Sequence, residues 1–522
     1  MKKLIISLII FCASAQTWSQ KAPLNWYLKN PKQDKVFGTG AEAAYELLKD
    51  KTAQEVIVAV IDSGVEIEHE DLKDVLWVNK GEIPGNGIDD DKNGYIDDVH
   101  GWSFLGGATE DINYESMEIA RMYLSAKKYF MNKDTTQLSG ADVPKFEEFK
   151  KLRIDFNKEQ GQLKQQFYGV NLLSEYIKRV KAISNGVFSK ETNKAYVPKD
   201  DMDTKLKKRM VMILMLMPAE ELDIQITHGA DQIGNIIKYN EMDTDSIRRI
   251  IMGDDPTDYA NRFYGCNRYE GPDAMHGTHV SGTIAGKRGN GIGVEGIASN
   301  ARIMVLRAVP NGDERDKDIA NAIYYAVDNG AKVINMSFGK YYTPNQKAID
   351  EAILYAKSKD VLFVHAAGND AKNKDIEDSY PTRKLTDGTF ATNWIEVGAS
   401  SSSKKSKKLI ANFSNYGSTT VDLFAPGVDV YSTVPDGKYE DASGTSMACP
   451  ATAGVAALIR GYFPELTAEQ VRDVLMKTTV QYKKRVLIPG TKKKVKMNTI
   501  SISGGFVNAE KAVSYLLNNE TK

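Results

Sequence analysis

Three short segments hold the residue types that acyl transfer requires: Ile61-Asp62-Ser63-Gly64, His276-Gly277-Thr278-His279-Val280-Ser281-Gly282 and Gly444-Thr445-Ser446-Met447-Ala448-Cys449-Pro450. A hydroxyl is a poor nucleophile until a base takes its proton. The base works best when a buried carboxylate fixes its tautomer and stabilises the imidazolium. Asp62, His276 and Ser446 are the candidates for orienting carboxylate, general base and nucleophile. Taken singly, Asp62 reads as a loop cap and Ser446 as a helix N-cap; taken with His276 those readings lose ground. The three lie 214 and 170 residues apart, so only a fold can bring them together.

The elements that must do so are legible in outline. Asp62 ends the apolar, β-branched run Glu55–Ile61, which reads as a strand buried on both faces. Further strands are expected at Ile303–Leu306, Val333–Met336, Val361–Val364, Ile395–Ala399 and Val421–Phe424. Helical patterns at Ile319–Asn329 and Gln346–Lys359 fall between them. Such alternation predicts an α/β fold with a parallel sheet and helices on both faces. Ligands gather at the carboxyl ends of such strands, where Asp62 stands. Ser446 opens the small-residue segment Met447–Ile459, expected to be a helix whose amino end favours negative charge.

From about Thr109 to Tyr259 the pattern changes to Lys- and Glu-rich sequence with apolar residues at helical spacing. Phe149, Leu152, Phe156, Leu163, Phe167, Val170, Ile177 and Val180 trace one face. This predicts a mainly helical insertion at 109–259, with the apolar run Met210–Met217 as part of its core.

The three segments resemble those of the subtilases, in which the order is also Asp, His, Ser. The likeness covers about Ala53–Gly107 and Tyr264–Leu517, with Gly505-Phe506-Val507-Asn508-Ala509 similar to the closing segment of that domain. Ala366-Ala367-Gly368-Asn369 resembles the family's oxyanion motif, which implies that the Asn369 amide and the Ser446 backbone N–H share the developing oxyanion. The resemblance implies a subtilisin-like sheet and a serine endopeptidase working through an acyl-enzyme. It also implies substrate binding along Ser337, Phe338 and Gly339. Lys340 stands where a second glycine often follows, so the specificity of familiar relatives does not carry over. An inactive subtilase-fold binding scaffold and a narrow-specificity processing protease are the alternative readings. Retention of Asp62, His276, Ser446 and Asn369 favours the enzyme.

The chemistry calls for no cofactor, but Asp89-Asp90-Asp91-Lys92-Asn93-Gly94-Tyr95-Ile96-Asp97-Asp98 places oxygen donors at alternate positions around a glycine turn. That is the arrangement that wraps a hard cation such as Ca²⁺, with Asp89, Asp91, Asn93, Tyr95 and Asp97 as candidate ligands. His100 occupies the place of the closing bidentate Glu. A solvated acidic turn is the other reading.

In 522 residues, 68 Lys and Arg balance 69 Asp and Glu to a net charge of −1, so no global field points to nucleic acid. The runs Lys483-Lys484-Arg485 and Lys492-Lys493-Lys494 read as solvated loop charge, with a basic patch as the other reading, and Lys404-Lys405-Ser406-Lys407-Lys408 reads as solvated loop charge too. Lys2 and Lys3 before the apolar Leu4–Ala13 and the small-x-small Ala13-Ser14-Ala15 predict a signal peptide at 1–15 and export to a periplasm or the medium. Anchoring through a lipid on Cys12 is disfavoured by the bulky Phe11. The expected organisation is then a lead at 16–52, a catalytic domain at 53–108 and 260–517, the insertion at 109–259 and a tail at 518–522. The mature protein is expected to be a monomer without a membrane span, acting on peptide or protein substrates. Cys266 and Cys449 are expected as two buried thiols.

Overall fold

The computed structural model describes residues 23–520. The expected signal peptide, Cys12 and the last two residues lie outside the described residues. The chain forms two compact units, one of residues 114–244 and the other of the described residues 23–113 and 245–520.

The larger unit is built on a nine-stranded sheet. In chain order its strands are β1 (Val56–Asp62), β2 (Gly101–Ser103), β3 (Ala301–Arg307), β4 (Val333–Met336), β5 (Leu362–Ala366), β6 (Trp394–Ser400) and β7 (Leu423–Pro426). Two hairpins follow in separate sheets, β8 (Val430–Val434) with β9 (Lys438–Ala442) and β11 (Val486–Leu487) with β12 (Lys494–Val495). Strands β10 (Val480–Gln481) and β13 (Gly505–Phe506) complete one end of the main sheet, with β10 at its edge, and the order is β10-β13-β7-β6-β5-β4-β1-β3-β2. Every pairing in it is parallel except β10 with β13.

Strand β1 explains why both faces are covered. Val56, Val58 and Val60 enter one buried cluster, and Ala59 and Ile61 enter the other, as the period of two requires. In chain order the helices of this unit are α1 (Ala41–Leu48), α7 (Thr244–Met252), α8 (Met275–Ala285), α9 (Asp316–Asp328), α10 (Gln346–Ser358), α11 (Thr445–Tyr462), α12 (Ala468–Lys477) and α13 (Ala509–Glu520). Residues of α8 and α11 fill the first cluster, and those of α9 and α10 the second. The sheet is the parallel, doubly covered one that the sequence predicts. The chain leaves β1 for β2 and β3 on one side and then crosses to β4 on the other. This reversal places a crevice at the carboxyl end of β1.

The described part of the lead belongs to this core, because Trp26, Tyr27 and Leu28 are fully buried and Trp26 Nε1 donates to the Asp429 carbonyl at 2.9 Å. Where the chain returns after residue 244, Arg248 is fully buried and donates at 2.9 Å to both Asp254 and Asp318. Buried charges persist only when so paired.

The smaller unit consists of α2 (Glu118–Phe130), the 41-residue α3 (Asp142–Ala182), α4 (Lys190–Ala195), α5 (Asp201–Leu214) and α6 (Ala219–Tyr239). Leu173, Tyr176, Ile177 and Val180 of α3 pack with Leu206, Met210 and Leu214 of α5 and Leu222, Ile226 and Ile233 of α6. The run Met210–Met217 is only partly core. Met210, Ile213 and Leu214 are buried, while Met212 is exposed because a helix turns successive side chains by 100°, and Met215 and Leu216 are exposed past the helix end. Among the described residues, no helix is long and apolar enough to cross a membrane.

Candidate active site

Asp62 is the last residue of β1 and is buried, with Oδ1 accepting from the Ser63 N–H at 2.8 Å and facing His276 Nδ1 at 2.7 Å. His276 is the second residue of α8 and meets Asp62 because two glycines let helix and strand end approach. A Cβ on Gly277 would lie 2.1 Å from the Gly64 carbonyl oxygen, and one on Gly64, at φ +126°, 1.9 Å from that of Glu270. Burial lowers the His276 pKa, but the Asp62 charge and hydrogen bond outweigh it and set the net direction upward. The ring keeps 38% of its side-chain surface open to solvent. His279, one turn on, is fully buried with Nε2 at 2.9 Å from the Val430 carbonyl, and burial pushes its pKa down to about 4.

Ser446 is the second residue of α11 and is partly exposed between the buried Thr445 and Met447. Its Oγ donates to the Ser337 carbonyl at 3.0 Å, and Ser337 Oγ donates to the Ser446 carbonyl at 2.9 Å. Pro450 lies four residues on and has no N–H, so the Ser446 carbonyl lacks its usual helical donor and the Ser337 hydroxyl takes that place. The sequence therefore sets a proline inside a helix for a local reason.

Asn369 follows Gly368, whose φ of +101° only glycine adopts readily. Thr445 clamps the pair: its N–H and Oγ donate to Asn369 Oδ1 at 2.8 and 3.0 Å, and its Oγ accepts from the Gly368 N–H at 3.0 Å. With Oδ1 so engaged, the Asn369 donor is Nδ2, on the other side of the amide. Ser337, Phe338, Gly339, Asn369 and Ser446 line one cavity of about 240 Å³.

The cavity also takes in residues that sequence reasoning did not find, namely Tyr341, His365, Asp370, Ser379 and Asn415. His365 Nε2 lies 2.9 Å from the Phe338 carbonyl and Nδ1 lies 3.0 Å from Glu396, which also accepts from Trp394 Nε1 at 2.9 Å and pairs with Lys374. Burial alone would raise the Glu396 pKa, but His365 and Lys374 hold it at about 2. A lone Glu inside the apolar strand Trp394–Ser400 was the available signal. Lys340 also borders the cavity, but it is buried and its Nζ is engaged at 2.7 Å by both Asp316 Oδ1 and the Glu314 carbonyl. Cys266 and Cys449 are buried free thiols.

The acidic loop groups a different set of residues from the alternating one. Carboxylate oxygens of Glu82, Asp91 and Asp98 lie within 4.8 Å of one another. Asp89 instead accepts from the N–H groups of Asn93 and Gly94, and Asp97 from those of Asn86 and Gly87. Tyr95 is buried, its hydroxyl donating to the Arg262 carbonyl. Asn93 donates through Nδ2 to Asp91 and Asp98, and Asn79 does the same. His100 faces the Trp77 carbonyl at 2.8 Å, and Glu82, from before the loop, supplies the third carboxylate. Glu82 also accepts from backbone N–H groups, those of Asp90, Asp91 and Asp97, and its carboxylate with those of Asp91 and Asp98 is the cluster of this loop that offers a hard cation three charged oxygen donors.

The model of the subtilase family matches residues 53–506, and the chain belongs to that family. It is 39% identical over 226 residues to the thermophilic serine proteinase of Bacillus sp. (strain AK1), a match covering 43% of this chain and 49% of that protein. It is 36% identical over 236 residues to the cell wall-associated protease of Bacillus subtilis (strain 168), covering 45% of this chain and 24% of that one. Against subtilisin DY of Bacillus licheniformis the identity is 37% over 205 residues, covering 39% of this chain and 69% of that one. The chain thus spans about half the length, or less, of the first two relatives.

Proposed function

We propose that this protein is an exported serine endopeptidase that cleaves peptide bonds through an acyl-enzyme, with Ser446 as nucleophile, His276 as base and Asp62 as its orienting carboxylate. The observation that carries the proposal is the 2.7 Å contact between Asp62 Oδ1 and His276 Nδ1, in a chain of the subtilase family whose Ser446 opens a helix beside a cavity. The contact holds Nδ1 protonated and leaves Nε2 as the base. Attack by Ser446 Oγ on a substrate carbonyl forms the C–O bond as its proton passes to His276. His276 then returns that proton to the leaving amine, and water repeats the sequence on the ester. Asn369 Nδ2 and the Ser446 N–H stabilise the oxyanion in both halves.

Peptide recognition falls to Ser337, Phe338 and Gly339, whose backbone and side chains border the cavity. A cation of the Ca²⁺ kind would be held by Glu82, Asp91 and Asp98, tying down the loop that follows β1 without a part in the chemistry. The names of the relatives, serine proteinase and protease, support the same reaction. The test is labelling with a fluorophosphonate probe. Wild type should react at Ser446 and the Ser446→Ala variant should not; a folded wild type that fails to label would leave the inactive scaffold as the reading.

A further inference from the structure

The basic run 404–408 is far in sequence from the runs 483–485 and 492–494, yet the fold brings the residues that flank all three together. Leu409 and Ile410, directly after Lys408, share a buried cluster with Val486, directly after Arg485, and with Met497, directly after Lys496. The β11–β12 hairpin pairs Val486 with Val495 and Leu487 with Lys494, and its tip bonds back to the other segment, Gly490 N–H donating to the Asn412 carbonyl at 2.9 Å. Segments 401–412 and 481–498 together carry eleven Lys and Arg and no Asp or Glu, in a chain of net charge −1. All eleven are exposed.

This basic surface adjoins the candidate cleft. A Cβ on Gly490 would lie 2.8 Å from that of Ala371, two residues from Asn369, and the Ala371 N–H donates to the Phe413 carbonyl at 2.7 Å. The Asp370 N–H donates to Asn415 Oδ1 at 3.1 Å, and both residues line the cavity. Asp378 on this loop is exposed, but its other carboxylates have partners of their own. Asp370 accepts from the Tyr341 hydroxyl, Asp375 from the N–H groups of Ser418 and Thr419, and Glu377 pairs with Lys372 at 3.3 Å.

We propose that this surface, formed by residues 404–408, 483–485 and 492–496, is an exosite that captures acidic stretches of polypeptide substrates and delivers the adjoining bond to Ser446. It rests on the endopeptidase reading above. Ten of the eleven cations are Lys, mobile point charges suited to a flexible acidic chain, with one Arg to supply a planar fork for bidentate phosphate recognition. Tyr482 is half-buried edge-on against Phe37 at 5.5 Å, which takes it from service as a base-stacking platform. A single-sign surface beside a cleft raises the local concentration of opposite charge and the rate of encounter.

The experiment compares two fluorogenic peptides with the same casein-derived cleavage sequence, one extended at either end by four Asp or Glu and the other by four Asn or Gln. In wild type at low salt, kcat/KM for the acidic peptide should exceed that for the neutral one by on the order of tenfold. The ratio should collapse toward one at high salt and in the triple variant Lys492→Glu, Lys493→Glu, Lys494→Glu. Neutral-peptide turnover and fluorophosphonate labelling should be unchanged in that variant, which separates failure of the exosite from failure of the protease reading. Equal rates for the two peptides in wild type, or a preference that survives charge reversal, would overturn the proposal. Anisotropy with the same peptides on the Ser446→Ala variant should show the same preference in binding, and decides the matter if neither peptide is turned over. Tight capture of duplex DNA at physiological salt without a preference for the acidic peptide would assign the surface to nucleic acid instead.

Discussion

Ser337 and Ser446 form a reciprocal pair, each hydroxyl donating to the other residue's carbonyl, at 2.9 Å from Ser337 and 3.0 Å from Ser446. The first bond fills the gap that Pro450 leaves in the α11 ladder, and the second parks the Ser446 hydroxyl at the cavity edge. Ser337→Ala removes the first but not the second, stranding the Ser446 carbonyl and depriving the buried Asn335 Nδ2 of its acceptor. Such a loss costs about 1–3 kcal/mol, so thermal unfolding should move down by several degrees. Activity should fall with it, because the amino end of α11 loses a tether. A double variant that also carries Pro450→Ala restores an N–H at position 450 and should recover part of the stability, as read by calorimetry.

The upward direction of the His276 pKa fixes the sign of a pH profile. In the proposed mechanism His276 must be neutral to accept the Ser446 proton, so kcat/KM should rise with pH through an inflection above the ordinary imidazole value of about 6.5. Asp62→Asn removes the charge that opposes the effect of burial. The inflection should shift downward and turnover should drop by about 10⁴-fold, while Ser446 keeps its place at the start of α11. An inflection that stays put in Asp62→Asn would show that Asp62 does not govern the base.

Asn369 and Thr445 make separable contributions. Asn369→Ala deletes the proposed oxyanion donor and should lower kcat by roughly 10²- to 10³-fold with little change in KM. Thr445→Val keeps the amide but removes the Oγ contacts to Asn369 and to the Gly368 N–H. It should reduce kcat by less than Asn369→Ala does, and the two changes together should be less than additive, because both act through one amide.

Most of the sheet is legible in the sequence because β1, β3, β4, β5 and β6 are covered on both faces and so appear as short, predominantly apolar runs. The positions of Asp62, His276 and Ser446 are legible because each stands at a strand end or helix start with glycine close by. Glu396 and His365 are not, since each lies in a strand whose apolar neighbours dominate the pattern, and only the fold sets β5 beside β6. The acidic loop misleads for a related reason. Alternation fits a wrapped cation, whereas the carboxylates that approach one another are those of Asp91, Asp98 and Glu82, the last from outside the repeat. The basic runs look like separate solvated loops, because periodicity carries no information about which loops share an apolar cluster.

The acidic group makes a prediction about metal removal. If Glu82, Asp91 and Asp98 hold Ca²⁺, chelation should lower the melting temperature in proportion to RT ln(1 + [Ca²⁺]/Kd), and added Ca²⁺ should restore it. Glu82→Gln should abolish the calcium dependence while leaving labelling of Ser446 at room temperature unchanged. Melting curves that superimpose with chelator and with excess Ca²⁺ would leave the solvated acidic turn as the account of this loop.

Glu396 ties acid stability to the wall of the cavity. Its pKa of about 2 in the fold, held down by His365 and Lys374 against the effect of burial, lies below the ordinary glutamate value of 4.5. A group depressed in this way stabilises the fold above about pH 4.5, and its contribution, on the order of 3 kcal/mol, is lost as pH falls through about 2. Glu396→Gln keeps the shape but leaves His365 and Lys374 without their buried counter-charge. The variant should therefore be several kcal/mol less stable than wild type at neutral pH. Denaturant titrations between pH 7 and pH 2 should show that gap closing as wild-type Glu396 takes up its proton; a gap constant across the range would mean that the charge of Glu396 does not hold this wall together.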